Sequence, residues 1–156
     1  MTLPRTIVVA TDFSEDADQA LAYGVELAKR LDAAIHLVHA IAFPPVAESD
    51  LAFVNVAPAL EATKHAAQAA LDARTTSYRD RLAIASVRIE IGDPREVIDR
   101  VAEEIGADLI IMGTHGRRVK RMLMGSVAES VVRTAPCPVL TVRGNHPPRD
   151  RTDRGA

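Results

Sequence analysis

Gly113-Thr114-His115-Gly116, followed after eight residues by Gly125-Ser126, are the residues whose types and spacing could do chemistry. They stand between an apolar run, Leu109 to Met112, and a helical pattern, Val127 to Thr134. Glycines let a backbone turn its N–H groups inward with no Cβ in the way. A first helical turn adds unpaired N–H donors and the positive end of the helix dipole. Strand, glycine loop and helix start therefore point to phosphate binding. Ser126 and Glu129 have the S-x-x-E spacing of a capping box, which predicts Ser126 as the cap of that helix. A plain tight turn with a capping serine would use the same residues, and short glycine motifs match often by chance. The elements around the loop have to decide.

Those elements alternate strand and helix from end to end, which predicts a parallel sheet with helices on both faces. Ile7 to Ala10 suits a strand buried on both sides. Ser14 is the expected N-cap of the next helix, with Glu15 and Asp16 favourable in its first turn. Its core stripe is read as Ala17, Ala20, Leu21, Gly24, Leu27, Ala28 and Leu31. Further strands are expected at Ala34 to Ile41, Val87 to Ile91, Leu109 to Met112 and Val139 to Val142. Ala59 to Leu82 reads as a long Ala-rich helix. Asp93, Pro94 and Glu96 start another, which Gly106 ends. Prolines break the periodicity of residues 43–58, which read as an excursion over one sheet edge.

Five strands with right-handed crossovers make an open doubly wound α/β sheet. Ligands in such sheets bind beyond the strand C-termini, where the strand order reverses. Reversal between the first and fourth strands would set Ala10-Thr11-Asp12 beside Met112-Gly113. That context favours the phosphate reading over the plain turn.

Composition bounds the rest. At 156 residues the chain is expected to form one domain over residues 1–143, with a disordered Pro-, Arg- and Asp-rich tail over 144–156. Apolar residues make up 47% and aromatics 3%, so the core must be aliphatic. A formal net charge of −2 gives no global pull toward nucleic acid or acidic membrane. The single cysteine, Cys137, excludes an internal disulfide and any multi-cysteine metal site. Thr6 to Ala10 begins with no basic, apolar leader before it, and no apolar stretch reaches the roughly 18 residues of a spanning helix. A soluble, cytoplasmic protein is the expectation.

Val8-Val9-Ala10-Thr11-Asp12-Phe13-Ser14, Leu37-Val38-His39-Ala40, Gly92-Asp93-Pro94 and the Gly113 to Val127 loop, in this order, resemble the universal stress protein family. The resemblance covers Pro4 to Arg143. It implies a five-stranded parallel sheet in order 3-2-1-4-5, a homodimer paired through Val139 to Val142, and a role in stress response. Family members that bind ATP carry G-x-x-G, nine residues, then G-S or G-T. Here Arg117 to Met124 supply eight. Either the outer bulge of the loop absorbs the missing residue, or the helix start is dragged out of place.

By the resemblance, Asp12 would meet the adenosine end of ATP, with Ala10 and Thr11 beside it and Ala40 at adenine. Met112 and Gly113 would line the ribose side. Gly116, Gly125, Ser126 and Val127 would present N–H groups to the phosphates. From its place in the loop, His115 could touch phosphate or ribose, or be a solvated loop histidine. Magnesium is expected with the triphosphate. Two other readings stay open: an interaction module of the same fold without nucleotide, and a slow ATPase or phosphotransferase.

Other residues attract attention and carry less. His36 and His39, three apart on a strand, point to opposite faces, so packed or hydrogen-bonded rings are expected and a metal site is not. Cys137 between two prolines reads as a small apolar filler. Arg117, Arg118, Lys120 and Arg121 could attract a triphosphate, bind a partner or form a solvated loop, but aromatics are too few for a nucleic-acid platform. No evident general base accompanies the loop, so efficient hydrolysis is not expected.

Overall fold

The computed structural model describes residues 3–42, 56–76, 78, 84–115 and 124–144. Five strands are β1 (Thr6–Ala10), β2 (Ala34–Ile41), β3 (Ile84–Ile91), β4 (Leu109–Gly113) and β5 (Val139–Val142). They form one sheet in the order β3-β2-β1-β4-β5, and every neighbouring pair is parallel. Between them lie α1 (Glu15–Leu31), α2 (Ala57–Thr76), α3 (Pro94–Ile105) and α4 (Ser126–Thr134). This is the doubly wound α/β fold.

Strand periodicity divides the core in two. Ile7, Val9, Ile35, Leu37 and Ile111 face α1 and α2, meeting Ala20, Leu21, Val25 and Leu71. Val8, Ala10, Val38, Ile110 and Met112 face α3 and α4, meeting Val97, Ile98, Val101, Ala128 and Val131. Successive residues of β1 thus serve opposite cores, which is why its sequence is apolar without alternation. Each fully buried Val, Leu or Ile contributes about 1.5–3 kcal/mol.

Local signals set the helix ends. The Ser14 side chain accepts from Ala17 N at 3.2 Å and caps α1. Asp93 caps α3 by accepting from Arg95 N at 2.9 Å, with Pro94 first in the helix and Gly106 closing it at φ 63°. The Arg95 guanidinium beside Asp93 lowers its carboxyl to about 2.

Several boundaries differ from expectation. α2 runs from Ala57 to Thr76 rather than Ala59 to Leu82, and buries Ala67, Leu71 and Thr75. β3 begins at Ile84, three residues early, because pairing with β2 extends it beyond its own apolar pattern. Val25 joins the buried face of α1, while Leu27 and Leu31 pack only partly. Residues 43–55, Leu82, the basic cluster Arg117 to Arg121 and the tail beyond Gly144 lie outside the described residues. Among the described residues, no helix is long and apolar enough to cross a membrane.

Candidate functional site

The strand order reverses between β1 and β4, and Ala10 pairs in register with Met112. A cavity of about 340 Å³ opens there, beyond the C-terminal ends of the strands. That size lies within the range of small-molecule sites. It is lined by Ala10, Thr11, Asp12, Ala40, Met112, Gly113, His115, Gly125, Ser126 and Val127. Every residue expected at the site is therefore brought to one cavity, apart from Gly116, which lies outside the described residues. Val38, Ala42, Pro94, Ile98, Thr114 and Ala128 line it too. The last residues of β2 and the first turn of α3 reach any ligand at this edge, so the switch-point rule alone could have found most of them.

The turn from β1 into α1 is tightly held. Thr11 N donates to Val38 O at 2.9 Å, and Thr11 Oγ1 accepts from Phe13 N at 3.1 Å. Asp12 Oδ1 accepts from Ser14 N at 3.0 Å. Asp12 thus shapes the turn while lining the cavity, and Ser14 keeps the cap. Phe13 adopts φ 64°, a left-handed conformation uncommon for a bulky residue. Its ring lies 4.2 Å from the His39 ring, and the Arg74 guanidinium stands 4.9 Å over it. Arg74 also donates to Asp18 Oδ2 at 3.2 Å and to Phe13 O at 3.3 Å. Strain in this turn is offset by β2 and α2 gripping it from outside.

Both strand histidines are consumed by structure. His39 Nδ1 lies 2.8 Å from Thr11 O, and because a carbonyl only accepts, that nitrogen carries the proton. His36 Nδ1 lies 2.8 Å from Ser86 Oγ. Burial, helped by Arg88, pushes the His36 ring below its usual range. Cys137 packs against the α3–α4 core, and burial raises its thiol, which suits a small apolar filler. Among the described residues, no three His, Cys, Asp or Glu side chains gather to hold a metal ion.

The start of α4 departs from the sequence reading. Gly125 is the N-cap, at φ −64° and ψ 146°, and among the described residues no side chain caps the helix. Ser126 is the first helical residue, so the expected capping box does not form. A residue already in helical geometry cannot fold its hydroxyl back over its own N-terminus. Ser126 stays exposed at the cavity. Gly125 N donates to Thr114 O at 2.9 Å, and Thr114 N donates to Val142 O at 2.8 Å. The two ends of the loop are thereby tied together on the end of β4.

Asp16 is the residue that sequence reasoning undervalued. Its place in the first turn of α1 announces only a favourable charge, yet its side chain is only 15% exposed and it bonds to His115 and Gly144. No local pattern announces a contact across 99 residues.

Comparison with known proteins agrees with this geometry. The universal stress protein family matches residues 4–143. A Staphylococcus aureus (strain USA300) protein that carries the universal stress protein name is 37% identical over 153 residues, covering 94% of this chain and 88% of its own. The universal stress protein UspA of Lactobacillus plantarum has the same fold at a TM-score of 0.81 and 24% identity, over 92% of this chain and all of that one. A universal stress protein crystallised in complex with cAMP superposes at a TM-score of 0.61 and 26% identity, over 90% of this chain and 98% of that chain. The chain belongs to the universal stress protein family.

Proposed function

We propose that this protein binds ATP in the cavity between β1, β4 and α4, and acts as a nucleotide-dependent regulator in stress response. The observation that carries the reading is the Thr114 O to Gly125 N bond, which holds strand end and uncapped helix start together. Backbone N–H groups of Ser126 and Val127, with the Ser126 hydroxyl, are the donors for the phosphates. Val38, Ala40, Ala42, Pro94 and Ile98 offer an apolar slot for the base. Asp12 and Met112 stand between the two ends. Nucleotide in a relative of the same fold supports the same chemistry here. Magnesium would arrive with the triphosphate, held by the phosphates and water.

The protein acts as a homodimer, paired through the outer edge of β5. A four-residue apolar edge strand is a pairing template unless covered, and a two-fold axis would cover it with its own copy.

Affinities for adenosine, AMP, ADP and ATP at two salt concentrations test the nucleotide reading. Affinity should rise along the series, and the rise should weaken with salt. Ser126→Ala should lower ATP affinity about tenfold and leave adenosine unchanged, the size of one charge-assisted hydrogen bond. A flat series would leave an apolar base site without a working phosphate loop.

A further inference from the structure

We propose that Asp16 is a positioning residue that clasps the phosphate loop, fixing the ring tautomer of His115 and the path of the chain beyond β4. The functional half of this assignment rests on the nucleotide reading above.

Three N–H donors converge on the Asp16 carboxylate. Oδ2 accepts from His115 N at 3.0 Å and from His115 Nδ1 at 3.0 Å. Oδ1 accepts from Gly144 N at 2.9 Å. The neighbouring Ser14 hydroxyl donates to His115 O at 3.3 Å. The N–H, the carbonyl and the ring of His115 are therefore all held by the first turn of α1. That turn also places the positive end of the α1 dipole at the carboxylate.

The tautomer follows from the bonds. A carboxylate oxygen only accepts, so Nδ1 carries a proton, and in the neutral ring Nε2 then keeps its lone pair. Nε2 is buried and has no partner among the described residues. The opposite tautomer would turn an N–H into that space and face a bare Nδ1 lone pair toward the carboxylate. One ring form is locked in.

Position follows as well. Gly113 lies against the backbone of Asp16 and Ala17, where an added Cβ would come within 2.9 Å. At Gly144 an added Cβ would fall 2.5 Å from Asp16 Oδ1. The ends of β4 and β5 are thus both drawn onto one side chain of α1. The backbone and ring of His115, two residues past the end of β4, are held by that carboxylate. The base slot of Val38, Ala40, Ala42, Pro94 and Ile98 makes no use of it. Losing the clasp should loosen the phosphate end and spare the base end.

The test uses the full chain. Long-range ¹H–¹⁵N correlation at about pH 8, where an ordinary histidine is neutral, should show His115 in its Nδ1–H form. Asp16→Asn should abolish that single form and speed amide exchange at Gly144. The same variant should lower ATP affinity about tenfold, the loss of one charge-assisted contact, with adenosine within about twofold. An Nε2–H ring in the unaltered protein overturns the proposal, and does so even if the variant fails to fold. Unchanged ATP affinity in a folded Asp16→Asn protein also overturns it. If the unaltered protein binds no adenine nucleotide, the nucleotide reading falls by itself. The clasp is then judged by the ring form and Gly144 exchange: conversion supports it, and no change sinks it.

Discussion

Gly113 and Gly125 suggested a backbone freed for unusual angles, and neither uses that freedom. Gly125 sits at φ −64°, and the left-handed glycines among the described residues are Gly92 and Gly106. Gly113 is needed because α1 comes so close to β4 that a Cβ would press on the Asp16 and Ala17 backbone at 2.9 Å. Backbone cannot swing aside as a side chain would. Gly113→Ala should therefore destabilise the fold by about 1–3 kcal/mol, the usual cost of overpacking, and lower the urea midpoint. It should also weaken ATP more than adenosine, because the displaced turn carries Asp16. An unchanged urea midpoint would mean that α1 can retreat from the sheet without cost. The residue types were legible in the sequence, but the contact that requires them joins elements far apart in the chain.

Edge strands raise a question of direction. Ile110 N donates to Pro138 O and Thr114 N donates to Val142 O, so the even-numbered residues of β5 point their backbone groups at β4. Alternation turns Val139 and Thr141 outward. Thr141→Pro removes an outward N–H and leaves the β4 ladder intact, whereas Val142→Pro would cut the sheet itself. The proposed self-pairing should lose two bonds in the symmetric dimer, one from each copy, at about 1 kcal/mol each. Light scattering at tens of micromolar should then show a shift toward monomer with helix content preserved. Persistence of the dimer would place its interface elsewhere. Element-level features were the most legible part of the chain. Ser14, Asp93, Pro94 and Gly106 mark helix ends through local chemistry, and the structure uses each one. Ser126 misled for a local reason: Gly125 already supplies the extended cap conformation, so the serine falls one position inside the helix.

At the scale of the molecule, alternating strands and helices made the sheet predictable, and the switch point followed from strand order. The two-sided core was legible only in part. Val25 falls outside the stripe that three-and-four spacing marks, because the face that α1 buries is wider than that stripe. The far wall of the cavity was not legible, because Pro94 signals a helix start and nothing about Ile98 announces a ligand. The uncapped start of α4 has a thermodynamic consequence for the whole chain. Among the described residues no side chain caps its first N–H groups, so the nucleotide proposed above would supply its final bonds. Occupancy then becomes part of the folding equilibrium. A ligand at a hundred times its dissociation constant stabilises the native state by about 2.7 kcal/mol. Melting temperature should climb with ATP concentration, and amides of Ser126 to Ala128 should gain exchange protection first. If nucleotide binds as proposed, the abundance of the protein in a cell should follow its nucleotide supply, because the less stable unliganded chain would be degraded sooner.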